Sequence, residues 1–377
     1  MRKDHKGSAR ALPQTALREV TDRRLLDETL RQGRTTRAEL SETTGYSRPT
    51  VSEAVRRLVD AGLLDAAGPK ETGRRGRIGT FYELGARAGW VLGLEVDQAG
   101  VQWRATDLAG RTLSENRRPP TAPGDVAGLS QSLRAAVGEA TGGDGPLRAV
   151  AVSIANPVDP ATHETVPLAG SPFPEGLLNP AAMIADLVTA PVLVDNDVNL
   201  AALAEHRAAG GANFAYVYVG AGMGVGLYIG DQLIRGAHGL AGEIGYLPGT
   251  RSVTLAGDLA EGGLARTDAP SNDVAAVLAL LDHPDSDGQA VRHLVEAVSR
   301  AVISVAAVVD PEVILLGGPV GTHPALLPRV RARITAAFPG PTRVDHGALG
   351  AHAPLQGALQ LAIEHARTTA VAVASTQ

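Results

Sequence analysis

Apolar and polar positions follow two different rhythms along the chain. Between Arg37 and Leu64 they recur at helical spacing: Val51, Val55 and Leu58 fall at i, i+4 and i+7 and predict one buried stripe. The opposite face of that helix carries Pro49, Ser52, Glu53 and Arg56, with Arg48 and Arg57 flanking it. Ser47 is placed to cap it, and Pro49 suits its first turn, where a backbone N–H has no intrahelical partner. A shorter helix precedes it, and Gly45 fits the turn between the two. From Trp90 onward the rhythm changes to short apolar runs alternating with helical stretches. WVLGLEV (90–96) and VQWRATDL (101–108) predict a hairpin pair, and RAVAVSIA (148–155), PVLVDND (191–197), FAYVYVG (214–220) and EVILLGG (312–318) predict further strands. AGMGVG (221–226) reads as a Gly-rich loop and Leu294 to Val309 as a long apolar-rich helix. This alternation predicts an α/β architecture with ligand groups at strand ends.

A basic segment, Gly73-Arg74-Arg75-Gly76-Arg77, follows the helix pair, and IGTFYEL (78–84) can return from it as a strand. Two helices, a polar helix face and a basic hairpin are the parts of a winged helix-turn-helix. Ser47, Arg48, Pro49, Thr50, Ser52, Glu53, Arg56 and Arg57 form a face with the chemistry of a major-groove reader of double-stranded DNA. Arg74, Arg75 and Arg77 on the loop tip can grip phosphates or enter a narrow minor groove.

Charge separates the same two parts. Residues 1–80 hold 17 Lys/Arg against 11 Asp/Glu, a balance of +6, while the remainder holds 18 against 29, a balance of −11. That is the footprint of a DNA-binding head joined to a domain that does not touch DNA. Residues 1–20 read as a flexible basic tail, 21–84 as the head, 85–365 as one large two-lobed domain and 366–377 as a flexible end. Cysteine is absent, which excludes a disulfide framework and thiolate metal sites. No apolar run approaches the length of a membrane span, so no membrane partner and a cytoplasmic location are expected.

Three segments then carry a resemblance. VDNDVNLAALAEH (194–206), VGAGMGVGLYIGDQLIRGAHGLAGEIGY (219–246) and VILLGGPV (313–320) are similar, in this order, to the sugar-site strand, the second phosphate loop with its signature, and the adenosine-side segment of the ROK family (repressors, open reading frames and sugar kinases). With the winged head in front, the chain resembles ROK transcriptional regulators of the NagC/XylR type. The resemblance implies an actin-like, hexokinase-type fold of two lobes. In family kinases the matching position of Asp197 is the base that deprotonates the sugar hydroxyl. Their first phosphate loop reads Asp-x-Gly-Gly-Thr, where this chain has Glu95-Val96-Asp97-Gln98-Ala99, and Ala221 replaces Thr in the second. Productive nucleotide binding is therefore not expected, no cofactor is implied, and Asp197 is a vestigial base. Zinc-binding relatives use a His at the position of Tyr246 and three Cys soon after, all missing here, so another packing around Tyr246 and Pro248 must replace the metal.

The resemblance implies an effector pocket of Asn196, Asp197, Glu243 and Tyr246, with Asn156 and His238 as further candidates. A sugar-contacting Glu of relatives aligns with Ala256, near Asp258. Together these imply a non-enzymatic, sequence-specific regulator of carbohydrate genes. Its grip on a palindromic operator would respond to a sugar or sugar phosphate, in a homodimer or tetramer. The alternatives are a DNA-binding protein with a vestigial sugar site and a sugar kinase with an accessory head.

Overall fold

Leu25, Leu26, Leu40, Val51, Val55 and Leu58 have no exposed surface and close a small core near the N-terminus. The computed structural model describes residues 14–70, 79–120, 125–168, 173–209, 213–260, 271–283 and 288–376. Its head runs α1 (Gln14–Gln32), β1 (Thr35–Thr36), α2 (Arg37–Thr44), α3 (Arg48–Asp60), β2 (Leu64–Pro69) and β3 (Thr80–Leu84). A capping box starts α2: Thr36 Oγ1 accepts the Glu39 N–H and the Glu39 carboxylate accepts the Thr36 N–H. Ser47 Oγ accepts the Thr50 N–H at the start of α3, and Val51, Ala54, Val55 and Leu58 point inward as their spacing predicts. β3 lies between β1 and β2, antiparallel to both. The wing's return strand thus falls inside the expected segment, while its tip, Gly73 to Arg77, lies outside the described residues.

The first lobe contains β4 (Trp90–Asp97), β5 (Gly100–Asp107), β6 (Thr112–Arg118), α4 (Val126–Glu139), β7 (Leu147–Ile154), α5 (Pro180–Ile184) and β8 (Val192–Asn196). Its sheet has the order β6-β5-β4-β7-β8, with an antiparallel meander on one side and parallel strands on the other. α6 (Asp197–Ala209) crosses to the second lobe. There follow β9 (Asn213–Val219), β10 (Met223–Ile229), β11 (Gln232–Ile234), α7 (Leu255–Ala260), α8 (Val274–Asp282), α9 (Gln289–Val309), β12 (Val313–Gly317), α10 (Gly318–Gly321), α11 (Leu326–Ala337) and β13 (Arg343–His346). The second sheet, β11-β10-β9-β12-β13, repeats the plan of the first: three antiparallel strands, then two parallel ones. In each lobe a β-strand end opens on the same cleft.

Most of the expected Gly-rich loop is strand. Met223 to Gly226 pair with Val219 to Tyr216, which leaves Gly220 to Gly222 as the turn. The glycines serve packing instead: a Cβ on Gly226 would lie 2.3 Å from Ala202 Cβ, so α6 can approach β10 only over a bare backbone.

Both chain ends need correction. Residues 14–20, expected in a flexible tail, form the first turns of α1, because that helix gains a partner that its own sequence does not reveal. The partner is α12 (Ala353–Thr376), which includes nearly all of the segment expected to be a flexible end. Ala366, Ala370, Val371, Ala374 and Ser375 are buried in it. One part of α12 packs on α6, β4 and β7, and another on α1 and α3. Arg23 pairs with Glu364 at 2.7 Å and Arg367 with Asp27 at 3.2 Å across this junction.

Candidate functional site

The exposed face of α3 begins at its capped N-terminus. Ser47, Arg48, Pro49 and Thr50 are all exposed, and Glu53 and Arg56 continue the face one turn on. Arg56 reaches Glu53 at 3.2 Å and Asp60 at 3.1 Å, a solvent-screened pairing that a phosphate or a base edge can displace. Ser52 is half-buried beside them. Arg57 does not belong to this face. Its guanidinium makes a two-pronged bond to Asp22 of α1, at 2.9 and 2.6 Å, and its side chain is only 12% exposed. One residue along a helix turns the side chain by about 100°, and that step carries Arg57 from the open face to the α1 contact. Arg34 and Lys70 stack against Phe81, and Arg37 against Tyr82, so cations surround the root of the wing. Arg74, Arg75 and Arg77 lie outside the described residues.

Between the lobes lies a cavity of about 430 Å³, within the range of small-molecule sites. Asn156 enters from the end of β7, Asn196 and Asp197 from the junction of β8 and α6, Gly222 from the β9–β10 turn, Met223 from the start of β10, and Glu243 and Tyr246 from the segment after β11. Five of the six expected residues therefore converge. His238 does not: it is exposed and off the cavity wall. Asn196 Oδ1 accepts the N–H groups of Val198 and Asn199, so it caps α6 as well as facing the cavity. Asn156 is buried and donates to the Gly176 carbonyl at 3.1 Å. Sequence reasoning missed Phe173, Tyr218, Ser252 and Thr254 on the wall, and Asn272, which donates to the Gly220 and Ala221 carbonyls and pins the turn. No local signal marks these residues, since only the fold brings them together.

Burial leaves the acids of this cleft reluctant to ionise. Desolvation pushes Asp197 up to about 7, against bonds from the Val198 N–H and the Asn196 side chain and helped by the charge of Asp97. Desolvation, then the Asp197 charge, pushes Glu243 to about 7. Glu95 rises to about 8 by desolvation and the charges of Asp97 and Asp197. Each folded pKa lies above its unfolded value, so between about pH 4.5 and 8 the native state holds more protons than the unfolded chain. Stability is then fully present below that window and falls as pH rises through it. The ligand-free domain should melt several degrees lower at pH 8 than at pH 5.5 in differential scanning calorimetry. A Tm that climbed over that interval would contradict these ionisations.

Carboxylates stand at the end of β4 and beneath the loop after Tyr246. Glu95 and Asp97 occupy the strand end where a polyanion would approach, and Asp97 Oδ1 already takes the Ala99 N–H at 2.8 Å. In the loop Gly249 to Val253 the backbone N–H groups of Thr250, Arg251 and Ser252 converge on the Asp258 carboxylate. Pro248 is bridged to Thr254, and Tyr246 is exposed.

Comparison with known proteins agrees with both halves. Residues 91–257 match the ROK family and residues 18–65 match a winged helix-turn-helix DNA-binding family. The bifunctional enzyme NanE/NanK of Brucella melitensis is 30% identical over 302 residues, covering 76% of this chain and 56% of that protein. The xylose repressor of Bacillus subtilis is 25% identical over 243 residues, covering 62% of each. The chain thus spans less than two thirds of the length of these relatives. A solved ROK family transcriptional regulator, a homologue of the E. coli MLC protein, superposes over 95% of this chain and 99% of its own, with a TM-score of 0.68 at 18% identity. Fold, order of elements and both sequence matches agree that the chain carries a ROK family domain joined to an N-terminal winged helix-turn-helix.

Proposed function

We propose that the protein is a sequence-specific DNA-binding repressor of carbohydrate genes whose operator affinity is set by a sugar in the interlobe cavity. The observation that carries this reading is α12. It lies along α6, whose first residue is Asp197, and it also holds α1 and α3, so one rigid helix touches both the cavity's support and the reading head. A ligand that draws the lobes together moves α6 against α12 and so shifts the head. In a two-fold dimer that shift changes the spacing of two heads whose half-sites on a palindromic operator lie about one helical turn apart. Among the described residues the cavity's charged lining is Asp197 and Glu243 alone, which favours an uncharged sugar over a sugar phosphate.

The test is a gel-shift titration of the operator with D-xylose, D-glucose, N-acetyl-D-mannosamine and their phosphates. Release of the protein by an unphosphorylated sugar, abolished in Asp197→Ala, is the expected result. Operator binding indifferent to every compound would leave a DNA-binding protein with a vestigial pocket. The kinases among the relatives make sugar phosphorylation the competing reading, and ATP consumption in the presence of the same sugars would establish it.

A further inference from the structure

We propose that Asp258 is a positioning residue for the effector cavity: its carboxylate gathers the loop from Gly249 to Thr254 and thereby builds one wall of the site. The carboxylate of Asp258, at 1% exposure, sits on α7 beneath that loop. Oδ2 accepts the Thr250 N–H at 2.7 Å and its hydroxyl at 3.2 Å, and Oδ1 accepts the Arg251 and Ser252 N–H groups at 2.9 and 2.7 Å. Three consecutive amides around one anion form a nest, and a charged acceptor makes each bond stronger than a neutral one would. The Arg300 guanidinium of α9 completes the shell, and Arg251 pairs with Glu296 on the same helix at 3.1 Å. These bonds hold the Asp258 carboxyl well below the usual carboxylate range despite its burial.

Among the described residues the loop's other ties lie at its base and at Arg251. Gly249 and Leu255 bond across its base to Val253 and Leu247, and the Val253 side chain is 90% exposed. Yet Ser252, Thr254, Ala256 and Gly257 from this loop and the start of α7 all line the cavity, next to Gly245 and Tyr246. The wall is therefore only as well defined as the loop, and among the described residues the Asp258 carboxylate gathers three consecutive amides of it. Asp258 itself does not line the cavity, and its action on a ligand runs through Ser252 and Thr254.

The assignment rests on the effector reading above, and its test separates the two. Asp258→Asn keeps the shape and one acceptor but loses the charge; Arg300→Lys keeps the charge and changes its geometry. In full-length Asp258→Asn, amide exchange at Thr250, Arg251 and Ser252 should rise by about 10- to 100-fold, the effect of losing hydrogen bonds to a charged group. Exchange in the β9–β10 hairpin should stay unchanged. Calorimetry with D-xylose, D-glucose and N-acetyl-D-mannosamine should show at least one sugar bound by the wild type and bound about tenfold more weakly by the variant. Arg300→Lys, with the Asp258 carboxylate in place, should retain most of both properties. Wild-type exchange rates at 250–252 in Asp258→Asn would overturn the proposal, and so would a loosened loop with undiminished sugar affinity. If the wild type binds none of the three sugars, the effector reading fails, and the exchange rates alone then decide whether Asp258 orders the loop.

Discussion

Asp22→Ala is expected to destabilise the DNA-binding head by about 3–5 kcal/mol, the cost of leaving a buried charge without its partner. Asp22 has no exposed surface, takes both prongs of Arg57, and also accepts the Ser375 hydroxyl at 2.9 Å. Three elements remote in sequence, α1, α3 and α12, therefore meet on one carboxylate. Both tryptophans, Trp90 and Trp103, lie in the first lobe, so their fluorescence reports that lobe alone. Urea denaturation should show helix ellipticity lost in an early step while the tryptophan transition stays in place, and operator binding should vanish for every sequence. The double variant Asp22→Ala/Arg57→Met removes the stranded guanidinium and should regain most of the loss. A single variant as stable as the wild type would show that the pair contributes nothing.

Gly357→Ala should cost about 3 kcal/mol, at the upper end for an overpacked core. An added Cβ would sit 1.9 Å from the Leu200 carbonyl oxygen of α6, and a backbone atom cannot escape by changing rotamer. At about 2–4 °C per kcal/mol for a domain of this size, Tm should fall by about 6–12 °C. Gly138→Ala on α4 is the control, because nothing lies within 4 Å of the new methyl. Removing a helical glycine there should gain about 0.5–1 kcal/mol. If the two substitutions shift Tm alike, α12 does not pack on α6 as closely as described.

Where the sequence was legible, periodicity made it so. Val51, Val55 and Leu58 mark α3 because one face is buried and the other wet, and the strands of both lobes are marked by apolar runs too short for helices. α12 was illegible for the opposite reason. Ala362, Ala366, Ala370 and Ala374 face the protein, while Thr368, Thr369 and Val373 face solvent. Alanine and threonine differ too little in polarity for that split to show as a pattern. The same limit explains Arg57. Its neighbour Arg56 is chemically identical, and only the presence of Asp22, 35 positions earlier, tells which of the two is turned inward. In the cavity, Asn196, Asp197 and Glu243 were found through resemblance to relatives, whereas Asp258 has meaning only once the loop above it is folded.

The cover that α12 lays over the head has a kinetic consequence. A ribosome adding 5–20 residues per second needs roughly 15 to 60 s to travel from the end of the wing to α12. During that interval α1, α2 and α3 can close their own core and Asp22 can pair with Arg57, but the bonds that α12 makes to Asp22, Arg23 and Asp27 are still missing. The head therefore reaches its complete set of contacts only once α12 has been made, and the time this takes is set by the translation of everything between.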